Sequence, residues 1–235
     1  MTIHQETDVI IIGSGMGGMS AATLFAHSGL NVTILEAAHL PGGCSSSYKR
    51  KGYWFESGAT TLIGFNENQP LWYLEKETGV RIPRQEIAPS MTVHLDGKRI
   101  LRHQSIDGWK QEAVAAFGNK RGQERFWDLA KSVSDVVWKV SLKNPFFPPQ
   151  NLSDWVRLGT SNNPADVWVL PYAFKSVRDV MRQYGVDSPG FVRFVDEQLM
   201  ITAQATSEEV PFLFGAAGLT YTNYSNYYVP GGLLN

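Results

Sequence analysis

The chain has 235 residues, of which 43% are hydrophobic, so it is long enough to bury a core in one large domain or two small ones. Its 21 Lys and Arg residues nearly balance 22 Asp and Glu residues, and the formal net charge of -1 supplies no overall field that would attract a polyanion. Nucleic acid is therefore not expected as a partner. The single cysteine, Cys44, excludes an intrachain disulfide and a Cys-x-x-Cys pair.

The sequence shows no targeting signal and no membrane-spanning segment. The first apolar run begins at Val9 without a basic region before it, and no stretch of about 18 residues is free of charges and breakers. The five histidines show no metal-ligand spacing, so no metal site is predicted. The single cysteine fits a reducing compartment, so we expect a cytoplasmic protein, either free or peripheral to a membrane.

The N-terminal segment has the pattern of a βαβ unit. Residues 8–12 form a short β-branched run that predicts a buried parallel strand. Residues 20–27 contain good helix formers and are followed by Ser28 and Gly29, which are typical of a helix C-terminus. Residues 31–35 predict a second strand, which a right-handed crossover would place beside the first.

A glycine motif, Gly-Ser-Gly-Met-Gly-Gly at 13–18, lies between the first predicted strand and the helix. Glycines in this pattern allow a tight turn, close approach of the backbone to a pyrophosphate and close helix–strand packing, while the helix N-terminus favours an anion. Glu36 lies 18 residues after Gly18, where it is placed to accept hydrogen bonds from a ribose. Its carboxylate would repel the 2′-phosphate of NADP, so the motif predicts a site for FAD or NAD.

The rest of the chain changes from strand to helix patterns. Asp96 and Gly97 favour a tight turn, and the predicted strands after the βαβ unit are 53–55, 60–63, 91–95 and 98–101. From 107 to about 218 the pattern is helical, interrupted by a proline-rich loop at 144–149. Apolar residues recur at spacings of three and four at Phe126, Leu129, Val133, Val136, Val137 and Val140. Further helices are predicted at 151–158, 172–184, 189–202 and 206–219.

An extended stretch resembles the FAD signature of the phytoene-desaturase-like flavoproteins, a superfamily that also includes amine oxidases and protoporphyrinogen oxidases. The resemblance lies in Leu-Glu-Ala at 35–37, Pro-Gly-Gly-Cys at 41–44 and the stretch 48–60. The Gly-Gly-Cys form is more similar to the carotenoid isomerase and carotenoid desaturase branch than to the amine oxidases. The segment 227–233, Tyr-Tyr-Val-Pro-Gly-Gly-Leu, resembles a Tyr-Pro-x-Gly-Gly segment of the same branch.

The resemblance implies FAD as the cofactor. It implies that the double-glycine loop lies along the pyrophosphate and ribityl chain and that residues 58–60 lie near the flavin. The expected cofactor-binding residues are Gly13, Ser14, Gly15, Met16, Gly17, Gly18, Glu36, Ala37, Gly42, Gly43, Cys44, Ser45, Gly58, Ala59 and Thr60. No catalytic residue is identified, and Glu56, which replaces a more usual Asp, receives no role.

The expected fold is α/β, with a Rossmann-like FAD-binding domain and an inserted α+β, largely helical substrate domain. The expected domains are residues 1–88 for the first part of the FAD-binding domain, 89–222 for the substrate domain and 223–235 for the return toward the FAD-binding domain. In this family the polypeptide continues and supplies a second FAD-contacting segment, so the chain is interpreted as truncated.

The function implied by the resemblance is FAD-dependent oxidation or isomerisation of a small hydrophobic conjugated substrate, such as a polyene. A retinol-saturase-like reductase and an amine-oxidase-like enzyme are alternatives, and a truncated FAD-binding fragment without catalysis, or an interaction module, is an alternative of another class. No protein partner is indicated. The loop 144–149 or the apolar stretch 210–214 is a candidate for contact with a bilayer.

Two residue groups keep a double interpretation at this stage. Cys44 is either a reactive thiol or a small residue in a phosphate-approach loop. The aromatic residues of the helical segment either line a tunnel for a polyene or form an ordinary core. They are Trp127, Trp138, Phe146, Phe147, Trp155, Trp168, Phe174, Phe212 and Phe214.

Overall fold

The computed structural model describes residues 6–144, 146, 149–161 and 163–233. The strands are β1 (Val9–Ile12), β2 (Val32–Leu35), β3 (Ser47–Arg50), β4 (Tyr53–Glu56), β5 (Gln85–Ile87), β6 (Met91–Leu95), β7 (Lys98–Arg102) and β8 (Asn226–Tyr228). The α-helices are α1 (Met16–His27), α2 (Pro70–Thr78), α3 (Ile106–Phe117), α4 (Lys120–Lys143), α5 (Leu152–Ser161), α6 (Val177–Gln183), α7 (Pro189–Thr202) and α8 (Phe212–Thr220). Short 3₁₀ segments occur at Gly43–Ser45, Pro164–Ala173 and Tyr221–Tyr224.

The chain divides into two compact units. The first contains the residues up to Ile87 together with those from Asn226 onward, and the second is Ala88–Ser225. Because β8 pairs antiparallel with β5, the end of the described chain belongs to the same unit as its beginning. The functions expected of the two units remain predictions.

The first unit contains the predicted βαβ arrangement. β1 and β2 pair in parallel, with Val9 opposite Val32 and Ile12 opposite Leu35, and α1 connects them. The helix begins at Met16, four residues earlier than predicted. Gly17 and Gly18 lie in its first turn despite their low helix propensity. Its C-cap is Ser28, as predicted.

Two expectations for the first unit are wrong. The strand predicted at 60–63 does not form, since Leu62 makes only an isolated bridge with Tyr227. β1 was predicted to be buried, but Ile10 is 59% and Ile12 88% exposed. Within the described part of the chain this sheet has two strands, and no other element buries the side of β1 on which Ile10 and Ile12 lie.

A small core holds the rest of the first unit together. Phe65, Leu71 and Leu74 are buried, and the ring of Tyr227 meets Phe65 edge-on at a centroid distance of 5.2 Å. The guanidinium carbon of Arg84 lies 3.7 Å from the Phe65 ring centroid.

The second unit begins with the predicted hairpin of β6 and β7. Its turn residues Asp96 and Gly97 have φ values of 49° and 74°, the left-handed conformation that a two-residue hairpin turn requires. Helices α3 to α8 follow, and α7 has the predicted bounds of residues 189–202. The stripe on α4 packs inward, with Phe126, Val133 and Val137 buried.

The core of the second unit is built from aromatic rings. Trp109 contacts Trp127 edge-on at 5.0 Å and stacks on Phe194 at 5.5 Å. The fully buried side chain of Arg102 places its guanidinium carbon 3.9 Å from the Trp109 ring centroid. Arg102 donates hydrogen bonds to the Leu219 carbonyl oxygen at 2.5 Å and to Thr222 Oγ1 at 2.8 Å.

Burial in this core lowers the pKa of Arg102 to about 9, with a small opposing effect of Tyr221. The guanidinium therefore remains protonated at neutral pH. Its charge is accommodated by a carbonyl, a hydroxyl and ring faces rather than by a carboxylate, which explains how a charged side chain is retained in an apolar centre.

Two of the aromatic residues with two interpretations are core residues. Trp127 and Phe212 are 0% exposed, whereas Phe174 is 81% exposed, and Phe147 lies outside the described residues. The stretch 210–214 was a candidate for bilayer contact, but Val210, Phe212 and Leu213 are buried in the core, so this expectation is wrong for most of the stretch.

The helices predicted at 172–184 and 206–219 were too long. α6 begins at Val177 because Ser176 and Asp179 form a capping box there, and α8 begins directly after its N-cap, Pro211. Within the residues that the structure describes, no helix combines the length and apolar character needed to cross a bilayer.

The aromatic core predicts a large difference between two positions of α7. Phe191 is fully buried and contacts the rings of Phe117 and Phe126, whereas Ile201 is 63% exposed. Phe191→Ala is expected to lower the free energy of unfolding by about 3–5 kcal/mol. Ile201→Ala, the control, should change it by less than about 0.5 kcal/mol. Urea denaturation measures both, and equal losses would contradict this assignment of the core.

Candidate nucleotide-binding site

The candidate site is built around the N-terminus of α1 and the glycine loop before it. The Gly13 amide donates to the Leu35 carbonyl oxygen at 2.7 Å, which ties the glycine loop to the end of β2. Gly15 is the N-cap, no side chain caps the helix, and its first turn contains no acidic residue. The first-turn amides have no carbonyl partner within the helix and the dipole is positive at this end, so the position suits an anion.

The glycines of the loop have different surroundings. A Cβ atom on Gly18 would lie 2.1 Å from the Gly13 carbonyl oxygen, so only glycine allows the helix to pack this closely on the loop. A Cβ atom on Gly15 or Gly17 would meet nothing within 4 Å. No neighbouring atom therefore obstructs these two positions on the side where a Cβ atom would lie, which leaves the close approach of a pyrophosphate a prediction of the motif.

Glu36, which follows β2, is hydrogen-bonded to the glycine loop. Its Oε2 accepts hydrogen bonds from the Ser14 amide at 2.8 Å and the Ser14 hydroxyl at 2.5 Å, and its Oε1 accepts from the Ala38 amide at 2.8 Å. The Ser14 hydroxyl contributes most and the two amides contribute further, and together they lower the pKa of Glu36 to about 2. The side chain is exposed, and a carboxylate can accept about four hydrogen bonds, so it retains capacity for a ribose hydroxyl.

The double-glycine loop lies against the same structure. The Gly42 amide donates to the Ser14 carbonyl oxygen at 3.0 Å, and a Cβ atom on Gly43 would lie 3.2 Å from the Gly15 Cα. The Cys44 carbonyl oxygen accepts from the Ala59 amide at 2.9 Å. The glycine loop 13–18, the double-glycine loop 42–44 and residues 58–60 therefore lie next to one another.

The remaining predicted residues border this cluster. A Cβ atom on Gly58 would lie 2.9 Å from the Cys44 carbonyl oxygen, and Ser45 is buried beside it in the chain. Ala37 and Thr60 are exposed neighbours of Glu36 and Ala59. Cys44 itself is a free, exposed thiol.

Glu56 has a structural role that the sequence did not reveal. Its Oε2 accepts from the Ser47 hydroxyl at 2.6 Å, and its Oε1 accepts from the Leu233 amide at 3.1 Å. A Cβ atom on Gly232 would lie 2.6 Å from Ser47 Oγ, so glycine is required where the returning segment passes. Glu56 thus holds residues 232–233 against β3 and β4.

Comparison with known proteins agrees with this geometry. Residues 11–78 match the family model described as an NAD(P)-binding Rossmann-like domain. The chain is 26% identical over 234 residues to prolycopene isomerase 1, chloroplastic, of an Oncidium hybrid cultivar, covering 97% of this chain. It is 30% identical over 153 residues to a phytoene desaturase (neurosporene-forming) of Cereibacter sphaeroides, covering 59% of this chain.

Most of the chain is thus similar in sequence to carotenoid isomerases and desaturases, and its N-terminal part matches a Rossmann-like dinucleotide-binding domain. It is also 25% identical over 189 residues to all-trans-retinol 13,14-reductase of Danio rerio, covering 77% of this chain. The chain spans 39% of the length of the Oncidium relative and 30% of the lengths of the other two.

Solved structures support the fold. Wild-type putrescine oxidase bound to putrescine aligns with 98% of this chain and 47% of its own, at a TM-score of 0.58 and 16% identity. Cyclohexylamine oxidase of Brevibacterium oxydans aligns with 98% of this chain and 47% of its own, at a TM-score of 0.56 and 17% identity. The predicted Rossmann-like fold is confirmed.

The contact of Gly18 with the loop is testable by a matched pair of substitutions. Gly18→Ala would place a methyl group against the Gly13 carbonyl oxygen, and is expected to destabilise the protein by about 1–3 kcal/mol because such overpacking forces the backbone apart. Gly17→Ala, which points into open space in the same turn, should be neutral or stabilise by up to about 1 kcal/mol. Chemical denaturation compares the two, and equal effects would contradict the close packing.

The hydrogen bonds of Glu36 predict its titration. A glutamate with the ordinary pKa of 4.5 is half protonated at that pH, whereas Glu36, with a pKa of about 2, remains ionised there. Because the folded pKa is lowered, the stability that these bonds contribute is present above pH 4.5 and is lost as the pH falls toward 2.

Carboxyl carbon NMR shifts of Glu36 measure this directly. Ser14→Ala, which removes the largest contribution, is expected to raise the Glu36 pKa toward 4.5. An ordinary titration of Glu36 in the unsubstituted protein would show that the Ser14 contact does not exist in solution.

Proposed function

We propose that the chain is the FAD-binding portion of a flavin-dependent oxidoreductase of the carotenoid desaturase or isomerase type, acting on a hydrophobic conjugated substrate. The observation that carries the proposal is the convergence of the uncapped N-terminus of α1, the Glu36 carboxylate and the double-glycine loop at one place. The homologues with carotenoid isomerase and desaturase names support the substrate class.

The residues present fit an FAD molecule. The open backbone at Gly15 and Gly17, at the positive end of α1, suits a pyrophosphate. Glu36 suits an adenosine ribose without a 2′-phosphate, because an ionised carboxylate accepts from hydroxyls and repels phosphate. The contact of Gly42 and Gly43 with the first glycine loop favours FAD over NAD, since it adds a second glycine-rich backbone segment along the ligand.

The division of roles follows from this arrangement. Gly42–Cys44 would border the pyrophosphate and ribityl chain, and residues 58–60 would border the flavin. When bound, FAD supplies the acceptor or donor of a hydride. The contribution of the chain is to hold the dinucleotide through Glu36 and the loop amides, and we assign no catalytic acid or base to it.

Two alternative functions are considered beside this proposal. A retinol-saturase-like reduction is favoured by the similarity to a relative named all-trans-retinol 13,14-reductase. A chain that binds FAD without catalysis of its own is the alternative of another class. The likeness to amine oxidases is a likeness of fold alone and does not favour oxidation of an amine.

Removing the Glu36 carboxylate tests the cofactor assignment. Glu36→Ala is expected to weaken FAD binding roughly 10- to 100-fold, because the ribose hydroxyls lose their hydrogen bonds to a charged group. Glu77→Ala, an exposed glutamate of α2, is the control and should bind as the unsubstituted protein does. Flavin fluorescence titration measures the affinities, and unchanged FAD affinity in Glu36→Ala would remove the ribose role.

The substrate class is tested with the flavin-loaded protein under anaerobic conditions. Bleaching of the flavin by a polyene, or reoxidation of reduced flavin by one, is expected. Bleaching by an amine alone would instead assign an amine-oxidase-like reaction, and no response to any of these compounds would favour an FAD-binding portion without catalysis.

A further inference from the structure

The returning segment, residues 227–233, is held against residues 56–62 at two points. Tyr227 exchanges two backbone hydrogen bonds with Leu62, at 2.8 and 2.9 Å. The Leu233 amide donates to Glu56 Oε1 at 3.1 Å. Leu233 follows Tyr227 by six residues and Glu56 precedes Leu62 by six residues, so the two segments run antiparallel to each other.

Between these two points the returning segment makes a tight turn. The Gly232 amide donates to the Val229 carbonyl oxygen at 3.0 Å, and Gly231 has a φ of 87°. Pro230 followed by a glycine at positive φ is typical of a type II turn. A Cβ atom on Gly232 would lie 3.3 Å from Glu56 Oε1, so the turn passes close beside the carboxylate.

The double-glycine loop contacts the same stretch through other backbone groups. The Ser57 amide donates to the Ser46 carbonyl oxygen at 2.8 Å, and the Ala59 amide donates to the Cys44 carbonyl oxygen at 2.9 Å. Residues 57–60 are nevertheless exposed. They are therefore fixed by the double-glycine loop along their length and by the returning segment at the residues that flank them, while they remain accessible to a ligand.

The Glu56 carboxylate joins these parts because each of its oxygens has a separate donor. Oε2 accepts from the hydroxyl of Ser47, the first residue of β3, and Oε1 accepts from the Leu233 amide. Hydrogen bonds to an ionised carboxylate are about twice as strong as those between neutral groups. Since Glu56 directly precedes residues 57–60, loss of its carboxylate would release the Leu233 end of the returning segment from the start of that stretch.

We propose that Glu56 is a positioning residue of the FAD site. It holds the returning segment against the stretch that contains residues 57–60, which would border the flavin, and both of its oxygens are bonded to protein groups. The inference rests on the function proposed above, and it gives Glu56 an effect on FAD affinity that is exerted through the backbone. By thermodynamic linkage, bound FAD in turn strengthens the contact between Glu56 and Leu233.

Two measurements on the same proteins test this role, namely FAD affinity by flavin fluorescence and hydrogen exchange of the Leu233 amide by NMR. Glu56→Ala is expected to weaken FAD binding about five- to tenfold and to speed exchange of that amide at least about tenfold, because the amide loses its acceptor. In the unsubstituted protein, FAD is expected to slow the exchange. Glu77→Ala, an exposed glutamate of α2, is the control and should change neither quantity.

Glu56→Gln separates hydrogen bonding from charge. Its side-chain oxygen can still accept from the Leu233 amide, so FAD binding is expected to weaken by less than about threefold. Losses as large as those of Glu56→Ala would assign the effect to charge and contradict the positioning role.

Gly232→Ala disturbs the same contact while it keeps the carboxylate. Its methyl group would lie 2.6 Å from Ser47 Oγ, so FAD binding is expected to weaken as it does in Glu56→Ala. Gly79→Ala, also at a positive φ but with no atom within 4 Å of the new Cβ, controls for backbone strain and should leave FAD affinity unchanged. Circular dichroism of each variant separates loss of binding from loss of fold.

Two results would overturn the proposal. Unchanged FAD affinity in Glu56→Ala, together with faster exchange of the Leu233 amide, would show that the returning segment can be released without consequence for the ligand. Unchanged exchange would show that the Leu233 contact does not exist in solution. Absence of FAD binding by the unsubstituted protein contradicts the proposed function and with it the role of Glu56, whereas FAD binding of equal affinity in all variants contradicts the role of Glu56 alone.

Discussion

The carboxylate of Glu36 is the interaction on which the candidate site depends. It accepts hydrogen bonds from the amide and the hydroxyl of Ser14, and the Ser14 carbonyl oxygen accepts one from the Gly42 amide. These hydrogen bonds link the end of β2, the first glycine loop and the double-glycine loop. Because these bonds lower the pKa of Glu36 to about 2, the link is charged and intact throughout the physiological range. These bonds hold the N-terminus of α1 beside the double-glycine loop.

The second unit is organised by a different constraint. Arg102 lies fully buried among Trp109, Trp127 and Phe194, where carbonyl and hydroxyl oxygens and ring faces take the place of a carboxylate. This core explains why Trp127 and Phe212 are structural residues.

The features that were predictable from sequence are those fixed by local patterns. β1, α1 and β2 follow from a β-branched run, a glycine motif and a second apolar run, and the β6–β7 turn follows from Asp96 and Gly97. The exposure of Ile12 depends on what packs over the sheet, which local pattern does not encode. The role of Glu56 depends on Leu233, 177 residues later, and a contact over that distance in sequence cannot be predicted from local pattern.

The most direct test of the account is a crystal structure of the protein with FAD. We expect the pyrophosphate at the first-turn amides of α1, the adenosine ribose hydrogen-bonded to Glu36, and the double-glycine loop along the phosphates. FAD bound away from the N-terminus of α1, or bound there with its ribose out of reach of Glu36, would contradict the central claim that these three elements form one dinucleotide site.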